Sequence, residues 1–335
     1  MKTMLANELK DVLSIMNLAA GTDRNVENGN KVYFTGEKIY IFSGDAYISK
    51  DLETDFKGGV DTNLLEDIID KYGLSEIELD RKENEIIVKK KRSISKLVVD
   101  DSDHQPSIKF SKGTEWRKVP ADFTSLLDQA FTLTGNNFTE PSKTCIHINA
   151  RKMEASDGLR FGIFKMKGMI SDDIFIRKDF VKILSKFEPK DYRLADSWIC
   201  FTNEKNYFLA IRKISITDYP NLEEIFQGLK KSSEIELQDK IISSLERAGL
   251  FLRNEMEMDR YIKLEAKEGK IHIFTQTKAG TYKDKFNCAE GIEFEISINP
   301  KYLVEMIYYS NKISIGDQAV CCETKNAKIA ACLIG

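Results

Sequence analysis

A repeat constrains this chain more than any single motif does. The order helix, strands, helix, strands can be read three times along it. First helices begin near Asn7, Asp122 and Glu236, and second helices near Thr62, Arg177 and Asn299. The spacing is roughly 115 residues, within the size range of one domain. Each copy carries its own apolar faces at helical spacing. Leu9, Val12, Leu13 and Met16 line one side of the first helix, and Leu64, Leu65, Ile68 and Ile69 follow the cap Asp61-Thr62. In the middle copy Phe123, Leu126, Leu127 and Phe131 form one face, and Phe180, Ile183, Leu184 and Phe187 another. Between helices the pattern switches to alternation, as in Lys38-Ile-Tyr-Ile-Phe-Ser and Lys270-Ile-His-Ile-Phe-Thr. These periods predict an α+β chain of three tandem domains, over residues 1–100, 120–228 and 229–335, with a polar linker at 101–119.

The stretch Ile211–Phe226 closes the second copy. It starts as an alternating strand, stops at Tyr219-Pro220 and runs on into an apolar-tipped connector. A seam of this kind is where a concave partner site can form.

With 335 residues, a formal net charge of −3 and 31 % charged residues, the chain has no global positive field. An anionic partner must therefore be met by a local basic surface. No apolar run reaches the ~20 residues a membrane span needs, and Met1–Leu9 lacks the apolar core of a signal peptide. A cytoplasmic protein is expected. The six cysteines form no Cys-x-x-Cys pair and sit mostly in apolar, strand-like surroundings, as reduced core residues do. Of the three histidines, His147 and His272 alternate with Ile, which suggests a strand face, and His104 lies in the linker. There is no Gly-rich phosphate loop, His-Glu-x-x-His or Gly-x-Ser-x-Gly, so no cofactor and no catalytic residue is expected.

Five short segments, in order, carry a resemblance to a known family. They are Ala155-Ser-Asp-Gly-Leu-Arg-Phe161, Ile176-Arg-Lys-Asp179, Asp218-Tyr-Pro-Asn-Leu-Glu-Glu-Ile225, Glu246-Arg-Ala-Gly-Leu-Phe251 and Ile298-Asn-Pro-Lys-Tyr-Leu-Val-Glu-Met-Ile307. Over nearly its whole length the chain resembles the bacterial beta sliding clamp, the beta subunit of DNA polymerase III. It departs from that family at Leu159, where the family has His, and at Ala331–Gly335, which replaces Met-Pro-Met-Arg-Leu. A divergent clamp, virus-encoded ones included, fits these departures better than a housekeeping one.

The resemblance implies two copies closing a ring around double-stranded DNA, helices inside and sheets outside. Such a ring is a processivity factor, and its partners are a replicative DNA polymerase and a clamp loader. DNA contact would fall on Lys10, Arg24, Lys71, Arg177, Lys178, Lys182, Lys186, Lys240, Arg247 and Lys301. Among these, Lys178, Lys182 and Lys186 repeat at i, i+4 and form one stripe, with only Asp179 and Glu188 nearby as acids. A pocket for a partner peptide would draw on Leu159, Arg160, Phe161, Pro220, Ile225, Ile329 and Ala331. The ring joint would pair Leu250 and Phe251 of one copy with the strand around Ile94 of the other. Two further readings compete. One is a non-ring module of the same fold that binds proteins. The other is a Mg²⁺-dependent nucleic-acid enzyme using Asp45, Glu154 and Asp157, although Ser-Gly-Asp and Ser-Asp-Gly are common turns.

Overall fold

Strand pairing in this chain joins segments far apart in sequence, and that decides how it packs. The computed structural model describes residues 2–21, 29–102, 105–110, 114–137 and 139–334. Arg24 and His104 lie outside them. The first hundred residues hold β1 (Lys2–Leu5), α1 (Ala6–Met16), β2 (Lys31–Phe34), β3 (Lys38–Phe42), β4 (Ala46–Asp51), β5 (Gly58–Asp61), α2 (Thr62–Asp70), β6 (Glu76–Lys82), β7 (Glu85–Lys90) and β8 (Ser93–Val98). Next come β9 (Arg117–Lys118), α3 (Phe123–Phe131), α4 (Pro141–Thr144), β10 (Cys145–Ser156), β11 (Arg160–Arg177), α5 (Lys178–Phe187), β12 (Asp191–Leu194), β13 (Trp198–Thr202) and β14 (Tyr207–Arg212). The last third has α6 (Leu222–Gly228), β15 (Lys231–Glu236), α7 (Lys240–Phe251) and β16 (Ile262–Lys267). It ends with β17 (Lys270–Thr277), β18 (Gly280–Asn287), β19 (Phe294–Ile298), α8 (Pro300–Ile307), β20 (Lys312–Gly316), β21 (Ala319–Glu323) and β22 (Ala327–Cys332). No helix among the described residues is long and apolar enough to cross a membrane.

Two compact units result, neither continuous in sequence: Met1–Ser125 with Asp179–Ser215, and Leu126–Lys178 with Ile216–Gly335. The first holds a four-stranded sheet, β1-β6-β7-β8, and an eight-stranded sheet, β5-β2-β3-β4-β14-β13-β12-β9. The β4–β14 pairing in the second sheet sets Ala46–Lys50 against Tyr207–Ile211. Helix α1 packs on α2, burying the expected Leu9, Val12, Leu13 and Met16. Asp61 caps α2 by accepting from the Leu64 amide at 2.8 Å. The eight-stranded sheet buries its other face too. Tyr33, Tyr40, Tyr47 and Trp198 form an aromatic layer with Phe42, Ile108 and Phe208 packed against it. Part of the segment read as a linker thus closes a second core.

The second unit holds a six-stranded sheet, β10-β11-β22-β21-β20-β15, and a four-stranded sheet, β18-β17-β16-β19. Here β11 pairs with β22 in the register Arg160↔Ala331, Phe161↔Ala330 and Gly162↔Ile329. Helix α7 packs on α8. The latter begins with Pro300 at its first turn, and Asn299 caps it through the Lys301 amide at 3.0 Å.

Several local expectations need correction. A strand that no period announced, β1, precedes α1 and pairs with β6. Helix α5 begins at Lys178, Arg177 being the last residue of β11, and Val181 rather than Ile183 completes its buried face. Leu64 and Phe131 stand 52 % and 39 % exposed, at the edges of their apolar stripes. A helical stripe wider than the surface it packs on leaves its flank in solvent.

Candidate partner-binding and DNA-facing surfaces

In the second unit, the turn between β10 and β11 is fixed from within. Asp157 Oδ1 accepts from the amides of Leu159 and Arg160 at 2.9 and 2.6 Å, and Ser156 Oγ accepts from the Gly158 amide at 3.1 Å. Gly158 sits at φ +91°, a conformation a side chain would strain. The turn aims Arg160 into a buried ionic cluster. Its Nε and Nη2 donate to Asp157 Oδ2 at 2.9 and 2.7 Å, its Nη1 donates to Glu305, and its guanidinium lies 4.5 Å from the centre of the Tyr302 ring. Burial would lower the Arg160 pKa, but Asp157 and Glu305 outweigh it and raise it. Asp157 is thereby committed to Arg160 and Glu154 to His147, at 2.9 Å, which leaves no open carboxylate set at this turn. No group of three or more His, Cys, Asp or Glu among the described residues is placed to hold a metal ion.

The seven residues expected to line one partner pocket divide between the two faces of the six-stranded sheet. Alternation puts Phe161, Ile163 and Ala330 on one face, where they pack with Leu222 of α6 and with Cys321. The Phe161 and Phe226 rings meet there at 4.9 Å. Arg160 and its register partner Ala331, with Ile329 opposite Gly162, take the other parity. Ile329 and Ala331 are buried, whereas Leu159 and Ile225 are 37 % and 40 % exposed and Pro220 is half-buried. Arg160, Ile329 and Ala331 therefore do not share a lining with Phe161. An incoming apolar anchor would meet Leu159, Pro220 and Ile225 first, with Phe161 covered by Phe226. A small cleft of about 70 Å³ beside Phe226 is lined also by Lys231, Cys321 and Lys328.

The basic candidates differ in how far their charge is available. Lys182 and Lys186 are exposed on α5 with Phe180, Val181, Leu184 and Phe187 buried opposite, and Lys240 is exposed at the start of α7. Lys71 is 82 % exposed with Asp70 at 3.7 Å, and Lys301 is 73 % exposed with Glu305 at 3.8 Å. Lys10 is bonded to Asp70, and Arg247 donates to the Ser243 carbonyl at 3.1 Å with Asp284 at 3.6 Å. Arg177 is half-buried. Lys178 is the surprise. Its ammonium donates to the carbonyls of Thr134 and Gly135 and to Asn136 Oδ1 at 3.1, 3.2 and 2.7 Å, over the Phe131 ring. Burial first, then Arg160, lowers its pKa. The i, i+4 stripe is real, but its first member is turned into a loop.

Two terminal strands, β8 and β18, lie beside exposed apolar residues. Ile94 and Val98 on the outer strand β8 are 55 % and 82 % exposed. The other four-stranded sheet ends at β18, beside which Leu250 of α7 is 51 % exposed and Phe251 packs on Tyr282 with ring centroids 6.1 Å apart. Exposed apolar residues along an unpaired edge invite another chain.

No family model and no curated protein sequence matches this chain. Solved structures do match, over almost its full length. A putative DNA polymerase III beta subunit from Eubacterium rectale superposes with a TM-score of 0.84 at 12 % identity, covering 99 % of both chains. The DNA polymerase sliding clamp of Bacillus subtilis gives 0.84 at 16 % identity, covering 99 % of this chain and 98 % of the other. The Helicobacter pylori beta clamp bound to a DNA ligase peptide gives 0.78 at 13 % identity, covering 99 % of each. The fold is that of the bacterial beta clamp.

Proposed function

We propose that this protein is a DNA sliding clamp: two copies close a ring around duplex DNA and tether a replicative polymerase, placed there by a clamp loader. The observation that carries this reading is the full-length likeness to beta clamps, TM-score 0.84 over 99 % of the chain. The three-domain division at 1–100, 120–228 and 229–335 belongs to the same reading. The β4–β14 and β11–β22 pairings support it, since each would weld half of one domain to its neighbour and so cut the middle domain between two compact units. No bond is made or broken in such a role. Tethering works by keeping the polymerase at high local concentration on its template. The Helicobacter pylori clamp carries a peptide of DNA ligase, and partner peptides here would dock around Leu159, Pro220 and Ile225. The protein would work in the cytoplasm, on the nucleoid or in an infected cell.

The test is topological. Loaded onto a nicked circular duplex, the protein is expected to stay through a wash at moderate salt and to be released once the circle is cut. Equal retention before and after cutting would mean ordinary surface binding and would sink the ring. Lys182 and Lys186 are expected to set the electrostatic part. In the double variant Lys182→Glu, Lys186→Glu, the slope of log affinity against log salt should fall by about two, each lost phosphate contact being worth about 0.9. An unchanged slope would remove α5 from the DNA-facing surface. A second reading, a non-ring protein-binding module, draws support from the cations neutralised by neighbours, such as Lys10 by Asp70 and Arg247 by Asp284. A monomer in solution would favour it.

A further inference from the structure

Neither DNA nor a polymerase explains the surroundings of His147. On β10 its Nδ1 lies 2.9 Å from Glu154 Oε2, and its Nε2 lies 2.6 Å from Asp173 Oδ1 on β11. The imidazole stacks on Phe175 with centroids 4.6 Å apart and planes 16° from parallel. Tyr219, three residues before α6, packs on both rings at 4.8 and 5.5 Å. The His147 side chain is only 14 % exposed.

A neutral imidazole carries one N–H. It can donate to one of these carboxylates, and then presents a lone pair to the other at hydrogen-bond distance. Only the imidazolium donates to both. We propose that His147 is a proton-operated latch that fastens the Tyr219-Pro220-Asn221 segment, and with it the start of α6, onto the six-stranded sheet. The proposal stands apart from the DNA reading and does not depend on it.

The groups facing the latch are few. Glu154 lies on its own strand and Asp173 on β11, while Tyr219 comes from the connector and also faces Glu154 and Cys145. Burial pushes the Tyr219 phenol far above its ordinary value, so it stays neutral. One turn on, Glu223 of α6 binds Lys152 of β10 and Lys328 of β22, each at 3.3 Å. Burial would raise the Glu223 carboxyl, but Lys328 and Lys152 outweigh it and hold it below the usual range, so this second fastening does not change near neutrality. His147 is the member whose ordinary value lies there.

The sign follows from its surroundings. Burial alone would lower the His147 pKa, but the bonds to Glu154 and Asp173 more than offset this and raise it. A group raised on folding gives its full stabilisation below the unfolded value of about 6.5 and loses it as pH climbs through the folded value. Those bonds lie within the sheet, and the connector feels the charge through Tyr219, whose ring lies 4.8 Å from the imidazole: a cation–π contact fastens it in mild acid and is lost as pH rises.

Amide hydrogen exchange of the peptide covering Ile216–Gly228 tests this on the full chain, corrected for the pH dependence of intrinsic exchange and referred to strand β22. From about pH 6 to about pH 9 its protection should fall about tenfold, the loss expected when one partly desolvated cation–π contact is given up. His147→Gln and Asp173→Asn should each flatten that fall. A flat profile in the unmodified protein overturns the latch, and so does a fall that persists in either variant. An NMR titration of His147 needs no variant, and an imidazole titrating at or below about 6.5 would overturn it as well.

Discussion

Arg160→Ala is expected to destabilise the protein by about 3–5 kcal/mol, the cost of removing one partner from a buried ion cluster. The Arg160 and Asp157 side chains are each 9 % exposed and Glu305 is 23 % exposed, so little water can replace the lost guanidinium. Asp157 would keep its two amide donors but lose both Arg160 bonds, and Tyr302 would lose the cation stacked on its ring. Lys301 lies 3.8 Å from Glu305 but is 73 % exposed, too solvated to compensate. Arg160→Lys should recover only part of the loss, because an ammonium cannot reproduce the two-pronged contact with Asp157. Denaturant unfolding monitored by far-UV circular dichroism measures both variants. A loss under about 1 kcal/mol would show that the cluster is held by the turn backbone and not by the guanidinium. The Asp157 turn presents Leu159, so partner-peptide affinity should fall alongside stability in Arg160→Ala. Leu159→Ala should lower the affinity alone.

Ile94→Asp is expected to weaken self-association at least about 100-fold, or about 2.7 kcal/mol at roughly 1.4 kcal/mol per factor of ten. The side chain is exposed on an outer strand, so folding of the single chain should hardly notice the change. Across a joint with Leu250 and Phe251, however, a carboxylate would be buried against apolar groups without a partner. Sedimentation equilibrium at micromolar protein reads the change directly. Met169→Ser serves as the control, since Met169 is 58 % exposed on β11, in a different sheet from β8 and β18. An unmodified chain that is already monomeric, or a dimer untouched by Ile94→Asp, would rule out this joint.

Much of the fold is legible in the periods of the chain. The α1 face came out residue by residue as Leu9, Val12, Leu13 and Met16, and the Pro300 start of α8 is marked by its cap residue Asn299. His147 and His272 fall on strands, as their Ile neighbours suggest. The candidate site was legible only in pieces. The Ser-Asp-Gly turn and the Tyr-Pro connector do come together around one sheet, yet Phe161 and Arg160 face opposite ways, and Phe226, absent from the expected set, covers Phe161. A signal for that was present. Phe161 and Arg160 are adjacent in a strand, and adjacent strand residues cannot share a face. The His147 cluster had no such signal, because Glu154 reaches it past the register shifts between Ile148 and Lys152 and Asp173 across the pairing with β11.

Sequence alone determined which residues would be buried together within a helix or along a strand, because that follows from the 3.6- and 2-residue periods of the backbone. It also marked where helices alternate with runs of strands, as an α+β fold requires. Tertiary structure decided which strands would meet across 160 residues of chain, as β4 and β14 do. It likewise decided which cations would be spent on neighbours, as Lys178 is on the Thr134 and Gly135 carbonyls, and where two carboxylates would converge on one imidazole. Those outcomes depend on register and on what covers a face, and neither leaves a period in the sequence.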